Sequence, residues 1–436
     1  ECVNHALRLS PDDHRVLFWA GVARQQTGDV PGALDVLRKA RQLAPASQEL
    51  DATLARTLWF ADELEEAYDL VRSAAEAPAP FTTRWIFGEV ASRLGHDREA
   101  ERVLRDASDD RDLTAEERRS ARFALSGLHD RAKRFDEAVR EATRAHALDA
   151  FDFDPDVCDE SMRRTREVFT AERMGALPRS GIKSSRALFI VGLPRSGTTL
   201  LEQIVGRHSA VTAGGEQPHI AATAHVFAGN RLSPSRPTIV TDEHMTAGTL
   251  YREGKAYAER MGRLDRRSRY ITDKAPLNGK HLGLIDRMLP DARIICIRRD
   301  PRDNAISYHM KHMPGMHPQA GSFTALARFM NAYDALLRHW RDVLTIPMLD
   351  VRYEQLVRET EGEVRRILGF LDLPFEDACL RPHESERIVI TSSFEQVRQP
   401  ISSGSIGRWQ RYAPHLQPLI DTLDDALLDP YRGDEA

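Results

Sequence analysis

The chain has 436 residues, which is enough for two or more domains at roughly 100–200 residues each. Hydrophobic residues make up 41% and charged residues 29% of the chain, a composition that excludes wholesale disorder. The formal net charge of −5 argues against a nucleic-acid-binding role, and the chain lacks the run of about 18 apolar residues that a membrane span needs.

The four cysteines lie far apart and form no CxxC pair, which argues against a disulfide framework and against a zinc site. We therefore expect a reducing compartment and a cytoplasmic location. The segment from Glu1 to Leu9 has the pattern of the end of a helix, so we also expect that an upstream segment is missing from this sequence.

Residues 1–150 repeat a pattern of small and large apolar residues. Ala33 and Ala67 are 34 residues apart, and so are Ala40 and Ala74. Small residues let two antiparallel helices approach closely, so the pattern predicts a domain of paired helices. The period resembles that of the tetratricopeptide repeat. This resemblance implies a superhelix whose concave face holds a peptide or protein, and the alternative is a scaffold or a dimerisation surface.

Residues 151–185 mix charges with scattered proline and glycine, and we predict a linker there. Beyond it, short β-branched segments alternate with amphipathic helical ones, which is typical of an α/β domain with a mostly parallel sheet. We therefore expect an α + α/β protein, with a P-loop-like α/β domain over residues 186–430 that binds ligands at the carboxyl ends of its strands. The predicted strands are Leu188–Val191, Tyr270–Thr272, Ile294–Ile297 and Met348–Val351, and the predicted helices are Leu200–Val205, Leu282–Met288, Phe323–Trp340 and Val364–Leu371.

The apolar strand Ala187–Val191 leads into the loop GLPRSGTT and then into a helical pattern. Loop N–H groups at the start of a helix attract an anion. Gly192 and Gly197 have the spacing of a nucleotide-triphosphatase P-loop, but Thr198 stands where that loop has lysine, and Arg195 supplies the cation instead. The sequence shows no apolar strand that ends in an isolated aspartate as a magnesium ligand. We therefore expect a phosphate-containing donor without a catalytic metal, and the alternative is a P-loop kinase or nucleotidase.

The segment PRSGTT after an apolar strand resembles the 5′-phosphosulfate loop of sulfotransferases, especially the tyrosylprotein and tetratricopeptide-repeat sulfotransferase group. A second segment resembles their 3′-phosphate motif, because Arg299 follows an apolar strand and Ser307 lies eight positions later. Tyr353 and Arg408 match two further donor contacts. The resemblance implies the donor 3′-phosphoadenosine 5′-phosphosulfate, and it implies that these residues bind it: Arg195, Ser196, Gly197, Thr198, Thr199, Arg299, Ser307, Tyr353 and Arg408.

A candidate base for the acceptor proton lies in the segment AGGE. The paired glycines before Glu216 permit a close approach of the backbone, and the resemblance implies that Glu216 is the catalytic base, as in the tyrosylprotein group. His219 and His225 lie nearby in the sequence and are alternative bases. A structural role for Glu216, such as a helix cap, is a third interpretation.

The resemblance also implies residues that stabilise the transition state. Arg195 and Lys274 supply positive charge over the developing negative charge, and a surface ion pair with Asp273 is the alternative role for Lys274. Ser393 matches a serine that assists in the tyrosylprotein group. Phe394 beside it departs from the polar residue of the relatives, so the local contacts of this loop are not predicted.

These motifs predict in-line transfer of a sulfuryl group from the phosphosulfate donor to an acceptor hydroxyl. A tyrosyl peptide, a protein, a glycan and a small hydroxylated molecule are all open as acceptors. A catalytically dead adaptor, which binds the donor without turnover, is a further alternative. The sequence indicates no nucleic-acid partner and no oligomeric state.

Overall fold

The chain forms two compact units, each described here by itself. The computed structural model describes residues 2–75, 79–148, 153–183, 186–228, 240–313, 317–385 and 399–432. The first unit contains the described residues up to 148, together with 309–313 and 317–321. The second contains the remaining described residues, which fall within 153–308, 322–385 and 399–432.

The first unit is helical, as the sequence predicts. Its helices are α1 (Cys2–Leu9), α2 (His14–Gln26), α3 (Val30–Leu43), α4 (Gln48–Ala61), α5 (Leu64–Val71), α6 (Phe81–Arg93), α7 (Asp97–Asp109), α8 (Ala115–Arg131) and α9 (Phe135–His146). From α2 onward they pair in chain order. The first helices of successive pairs start at His14, Gln48, Phe81 and Ala115, which are 34, 33 and 34 residues apart.

Helix starts in this unit carry side chains that accept hydrogen bonds from the first turn. The carboxylate of Asp13 accepts from the Arg15 N–H and that of Asp29 from the Gly32 N–H. At α8, the Thr114 hydroxyl accepts from the Glu117 N–H, and the Glu117 carboxylate accepts from the Thr114 N–H. These bonds satisfy N–H groups that have no partner inside the helix, so the starts of α2, α3 and α8 are specified locally.

The helices of a pair approach closely because a small residue faces a large one. Ala33, Ala40 and Ala67 are completely buried. Gly88 on α6 lies against Leu104 on α7, and a β-carbon built on Gly88 would come within 2.4 Å of the Leu104 Cγ. The small-large pattern of the sequence therefore reports the spacing between paired helices.

Replacing Gly88 by alanine should lower the free energy of unfolding by about 1–3 kcal/mol, because overpacking a buried contact outweighs the gain in helix propensity. Thermal or urea unfolding measures this change. Gly127 on α8 is a matched control, since the nearest atom to a β-carbon on this residue would be the Arg131 Nη1 at 3.5 Å. Gly127→Ala should leave stability unchanged or raise it, and equal effects of the two substitutions would contradict the packing argument.

Residues 309–313 and 317–321 belong to the first unit, although they begin at the last residue of α16 and the rest of that helix lies in the second unit. The His309 ring contacts the Thr143 hydroxyl of α9, with 3.2 Å between Nε2 and Oγ1. The His312 ring stacks on Phe123 of α8 at 5.4 Å between centroids. We call residues 309–313 and 317–321 the strap. Its contacts show that the first unit is built from separate parts of the chain.

The second unit is an α/β domain around a five-stranded parallel sheet. Its strands are β1 (Ala187–Gly192), β2 (Val211–Thr212), β3 (Tyr270–Asp273), β4 (Arg293–Arg298) and β5 (Met348–Arg352). Its α-helices in the described residues are α10 (Pro155–Val168), α11 (Ala171–Ala176), α12 (Thr198–Gly206), α13 (His219–Phe227), α14 (Ala247–Leu264), α15 (Leu282–Met288), α16 (Pro301–His309), α17 (Phe323–Val343), α18 (Tyr353–Arg358), α19 (Thr360–Phe370), α20 (Gln417–Ile420) and α21 (Asp425–Leu428).

The sheet order is β2-β3-β1-β4-β5, and every described pair is parallel. β1 is central and buried along its whole length, with Phe189 opposite Asp273 on one side and Ile294 on the other. After β1 the chain builds one side of the sheet, and it crosses to the other side at β4. Ligands of such sheets bind at this kind of switch point, so the carboxyl ends of β1 and β4 are where a site is expected.

The parallel-sheet α/β domain after a helical region is confirmed. The four predicted strands are β1, β3, β4 and β5, whereas the two-residue strand β2 and helices α13, α14, α16 and α18 were not predicted. Segments as short as β2 and α18 give too few residues to show a period, whereas α14 is 18 residues long and was simply missed. Residues 155–176 lie inside the range predicted as a linker and contain α10 and α11, and the predicted domain boundaries stay a prediction.

Candidate active site

The loop between β1 and α12 depends on glycine at both ends. A β-carbon on Gly192 would lie 2.4 Å from the Ile297 carbonyl oxygen of the neighbouring strand. Gly197 has a φ of +102°, and a β-carbon there would lie 2.6 Å from the Tyr353 ring. The loop therefore runs close to β4 and to Tyr353. The N–H groups of the first turn of α12, which starts at Thr198, point to the loop and have no partners within the helix.

Arg195 stands at the tip of this loop with other positive charges around it. Its Nε donates to the Ser307 Oγ at 3.0 Å, which joins the loop to α16. Burial, followed by the nearby charges of Arg299 and Arg408, lowers the pKa of Arg195 to about 10. Like charges repel, and this repulsion falls when an anion lies between them. The three guanidinium groups therefore form a site for a strongly anionic ligand.

Arg299 follows β4 and is held in place by backbone oxygens. Its Nη2 donates to the Ser405 carbonyl at 2.6 Å and its Nη1 to the Arg195 carbonyl at 3.2 Å. Its guanidinium carbon lies 4.7 Å from the centre of the Tyr353 ring. Asp303 is 4.0 Å away, at the limit of an ion pair. Arg299 is thus fixed by the loop between β1 and α12 and by the segment before Arg408, rather than by a surface ion pair.

Glu216 and Lys274 meet at the carboxyl end of β3. The Lys274 Nζ donates to the Glu216 Oε1 at 2.5 Å. The Lys274 side chain is 1% exposed and the Glu216 side chain is 56% exposed. One end of the pair is therefore buried, and the carboxylate reaches solvent.

The alternative bases lie on α13. The His219 Nδ1 is 3.3 Å from the Arg260 Nη1, and burial together with this arginine lowers the pKa of His219. His225 lies further along the same helix. Ser393 and Phe394 lie outside the described residues. The structure thus brings together Arg195, Arg299 and Ser307 in one cluster, and Glu216 with Lys274 in a second.

Comparison with known proteins agrees with this geometry. Residues 187–377 match the model of the sulfotransferase family. These residues form a sulfotransferase domain. The matched range contains β1 to β5, the phosphate loop, Arg299 and the Glu216–Lys274 pair.

Related proteins extend over more of the chain. An uncharacterized protein of Aquifex aeolicus (strain VF5) is 29% identical over 91% of this chain and 53% of its own length. Protein-tyrosine sulfotransferase 2 of Gallus gallus is 25% identical over 58% of this chain and 71% of its own length. The chain therefore spans about half the length of the Aquifex relative.

Among solved structures, the sulfotransferase domain of the Synechococcus PCC 7002 olefin synthase is 20% identical, over 54% of this chain and 90% of that one, with a TM-score of 0.40. In the described ranges, no helix has both the length and the apolar character needed to cross a bilayer.

The sulfotransferase domain contains an aspartate that the sequence analysis did not identify as a strand end. β3 ends at Asp273, a strand end that the sequence analysis did not recognise, and the expectation that no such aspartate is a magnesium ligand stays a prediction. The two carboxylate oxygens of Asp273 have protein partners, namely the Tyr257 hydroxyl at 3.0 Å and the Asn278 amide at 3.2 Å. Asp273 therefore does not form a surface pair with Lys274, because the lysine contacts Glu216 instead.

Burial raises the pKa of Asp273 to about 7, from an ordinary value of 3.8. The folded state therefore binds this proton more tightly than the unfolded state, and the stabilisation from protonation is lost as the pH rises toward 7. Asparagine does not ionise, so the Asp273→Asn variant should not lose this stability as the pH rises. The free energy of unfolding of the variant relative to the native protein should rise between pH 4 and 7, by up to about 1.4 kcal/mol per pH unit.

Urea unfolding at a series of pH values measures this difference. Asp377 is exposed, and Asp377→Asn serves as the control, for which the difference should stay flat. A flat difference for Asp273→Asn as well would show that Asp273 is ionised across the whole range.

Buried carboxylates near the site were missed by the sequence analysis. Asp303 accepts from the Gly407 N–H at 2.8 Å and the Trp409 N–H at 2.7 Å, and thereby fixes the backbone on both sides of Arg408. Glu202 and Glu354 hold two other loops of the sulfotransferase domain. Their partners are distant in the sequence, and no local pattern signals such bonds. The one signal in the sequence was a charged residue within an otherwise apolar helical segment, such as Glu202 in α12, which suggests a buried carboxylate.

Proposed function

We propose that this chain is a sulfotransferase that uses 3′-phosphoadenosine 5′-phosphosulfate as donor and transfers its sulfuryl group to an acceptor hydroxyl. The observation that carries this proposal is the cluster of Arg195, Arg299 and Arg408 at the switch point of the sheet. A donor with phosphate at one end and phosphosulfate at the other offsets the repulsion in this cluster. The sulfotransferase domain at residues 187–377 supports the same donor class.

Each end of the donor has a matching set of groups. The 5′-phosphosulfate lies in the loop of Arg195, Ser196, Gly197, Thr198 and Thr199, where backbone N–H groups, hydroxyls and the start of α12 bind its oxygens. Arg299 and Ser307 bind the 3′-phosphate, with a guanidinium fork from one and a hydroxyl from the other. Tyr353 packs beside the nucleoside, and Arg408 adds charge. No catalytic metal is part of this proposal.

Glu216 acts as the general base, and Lys274 and Arg195 stabilise the transition state. Glu216 takes the proton of the acceptor hydroxyl while the acceptor oxygen forms a bond to sulfur. The bond from sulfur to the phosphate oxygen breaks, and both electrons stay on adenosine 3′,5′-bisphosphate. Positive charge on Lys274 and Arg195 stabilises the sulfuryl oxygens and the leaving phosphate. Ser393 completes the proposed set from outside the described residues.

The helical unit is proposed to be a tetratricopeptide-like array that holds an acceptor peptide or protein. The spacing of its paired helices, 34, 33 and 34 residues, supports a repeat of this class. Trp19 on α2 is 63% exposed, which offers a large apolar contact to a partner. A scaffold remains the alternative for this unit.

Calorimetric titration with adenosine 3′,5′-bisphosphate, beside ATP with magnesium, tests the donor class. Micromolar binding of the bisphosphate and weak binding of ATP–magnesium are expected. Tight ATP–magnesium binding without bisphosphate binding would instead identify a kinase or nucleotidase. Bisphosphate binding without turnover in a screen of tyrosyl peptides, glycans and phenols would identify an inactive adaptor.

A further inference from the structure

A buried carboxylate links the phosphate loop to the loop that carries Glu216. Glu202 lies on α12, four residues after Thr198, and it is 2% exposed. Its Oε1 accepts from the Gly215 N–H at 2.8 Å and from the Thr272 hydroxyl at 2.5 Å. One oxygen of Glu202 therefore holds both the residue before Glu216 and a residue of β3.

The hydrogen bonds of Glu202 belong to a network that joins the base loop to β3 and to Lys274. The Thr272 Oγ1 also accepts from the Gly214 N–H at 2.9 Å, so both glycines before Glu216 are held through their amides. The Gly215 carbonyl accepts from the Lys274 N–H at 2.9 Å. A β-carbon on Gly214 would lie 2.0 Å from the Thr272 carbonyl oxygen, which explains why this position requires glycine.

This hydrogen-bond network fixes the backbone beside Glu216 and at Lys274, the two residues proposed to act at the acceptor. Glu216 directly follows the amide that Glu202 holds, and the Lys274 backbone is tied to the same Gly215. Hydrogen bonds therefore connect Glu202, through Gly215, to the Lys274–Glu216 pair, whose Nζ–Oε1 distance is 2.5 Å. Because α12 starts in the phosphate loop, the same path sets the distance between the donor loop and the base.

We propose that Glu202 is a positioning residue of the sulfotransferase reaction, acting through Gly215 and Thr272 to orient Glu216 and Lys274 toward the donor. This inference rests on the proposed function. Glu202 touches none of the atoms proposed to react. A carboxylate suits this role because one of its oxygens can accept two hydrogen bonds at once. Small displacements of a base cost a large part of the rate, so a rigid link is functionally useful.

Glu354 offers a matched control. It is also 2% exposed, and its Oε1 accepts from the Asp300 N–H at 2.9 Å, directly after Arg299. Both carboxylates are thus buried on a helix and hold a loop, but the loops differ. Glu202→Ala should loosen the base loop, whereas Glu354→Ala should loosen the loop of Arg299.

Hydrogen–deuterium exchange and bisphosphate titration on the full chain separate the two effects. In Glu202→Ala, amides of residues 211–217 should exchange at least tenfold faster, with β1 and β4 unchanged and bisphosphate affinity within threefold of the native protein. In Glu354→Ala, residues 211–217 should be unaffected and bisphosphate affinity should fall at least tenfold. Unchanged exchange at 211–217 in Glu202→Ala, or faster exchange throughout the sheet, would overturn the positioning role.

Turnover supplies a readout that a purely structural role would not give. Sulfate release from the phosphosulfate donor, with water as acceptor, should fall at least tenfold in Glu202→Ala. The same change made on Glu216→Gln should cost no further activity, because Glu202 acts through Glu216. Additive losses would contradict the proposal.

Two milder variants guard against misfolding. Glu202→Gln keeps an acceptor oxygen and should retain most of the activity, while Thr272→Val keeps the side-chain size but loses the hydroxyl, and should speed exchange at Gly214. A native protein that fails to bind the bisphosphate would defeat the proposed function, and the exchange data would still decide whether Glu202 holds the base loop.

Discussion

Replacing Arg299 by alanine is expected to weaken the binding of adenosine 3′,5′-bisphosphate by about 100-fold. The side chain is 8% exposed, and its guanidinium lies beside Tyr353 with the charge of Arg195 nearby. Losing a fork of two charge-assisted hydrogen bonds costs about 3 kcal/mol, and that corresponds to about 100-fold in the dissociation constant. Calorimetric titration of both proteins measures the change.

The control for this substitution must separate ligand contact from loop support. Arg299 also donates to the carbonyls of Arg195 and Ser405, so melting temperatures have to be compared. Arg299→Lys keeps the charge without the fork and should bind with intermediate affinity. Arg381→Ala removes an exposed arginine that pairs with Glu384, and it should bind like the native protein. If a folded Arg299→Ala protein bound the bisphosphate with native affinity, the assignment of Arg299 to the 3′-phosphate would be wrong.

Replacing Glu216 by glutamine should lower turnover by about 10²–10⁴-fold while bisphosphate affinity changes little. Glutamine keeps the size of the side chain but cannot take the acceptor proton, and general base catalysis contributes about this factor. The donor contacts assigned to the phosphate loop and Arg299 are unaffected. Sulfate transfer at saturating donor, to the best acceptor from the screen, measures the rate.

Glu243→Gln is the matched control, because Glu243 is an exposed glutamate of the same domain, and its turnover should equal that of the native protein. Near-native turnover in Glu216→Gln would reject the assigned base and would direct attention to His219 and His225. Loss of bisphosphate binding in Glu216→Gln would indicate a structural carboxylate instead.

Four of the five strands and the loop after β1 could be predicted from the sequence because each is specified locally. β1 is an unbroken apolar segment, and Gly192 and Gly197 mark a loop whose backbone tolerates no side chain at those points. Arg299 lies in the loop directly after β4, and Ser307 lies eight residues later on α16. Local pattern and final position agree for these residues, and the family match covers the same range.

The supporting carboxylates could not be predicted, since their partners are far away in the chain. Glu202 bonds with residues 13 and 70 positions further along, and Asp303 with residues more than 100 positions away. Asp273 was overlooked for a related reason. Its position at the strand end is visible in the sequence, but the burial that raises its pKa is set by the tertiary fold and has no local signal.

The strap bears on how this protein could be divided or recombined. The strap lies in the sequence between segments of the sulfotransferase domain, yet its residues His309 and His312 contact α9 and α8. A chain that starts at residue 186 would keep the strap but leave the rings of His309 and His312 without Thr143 and Phe123. The helical unit therefore cannot be replaced by a fusion at one point in the sequence. Replacing it would also require replacement of the strap.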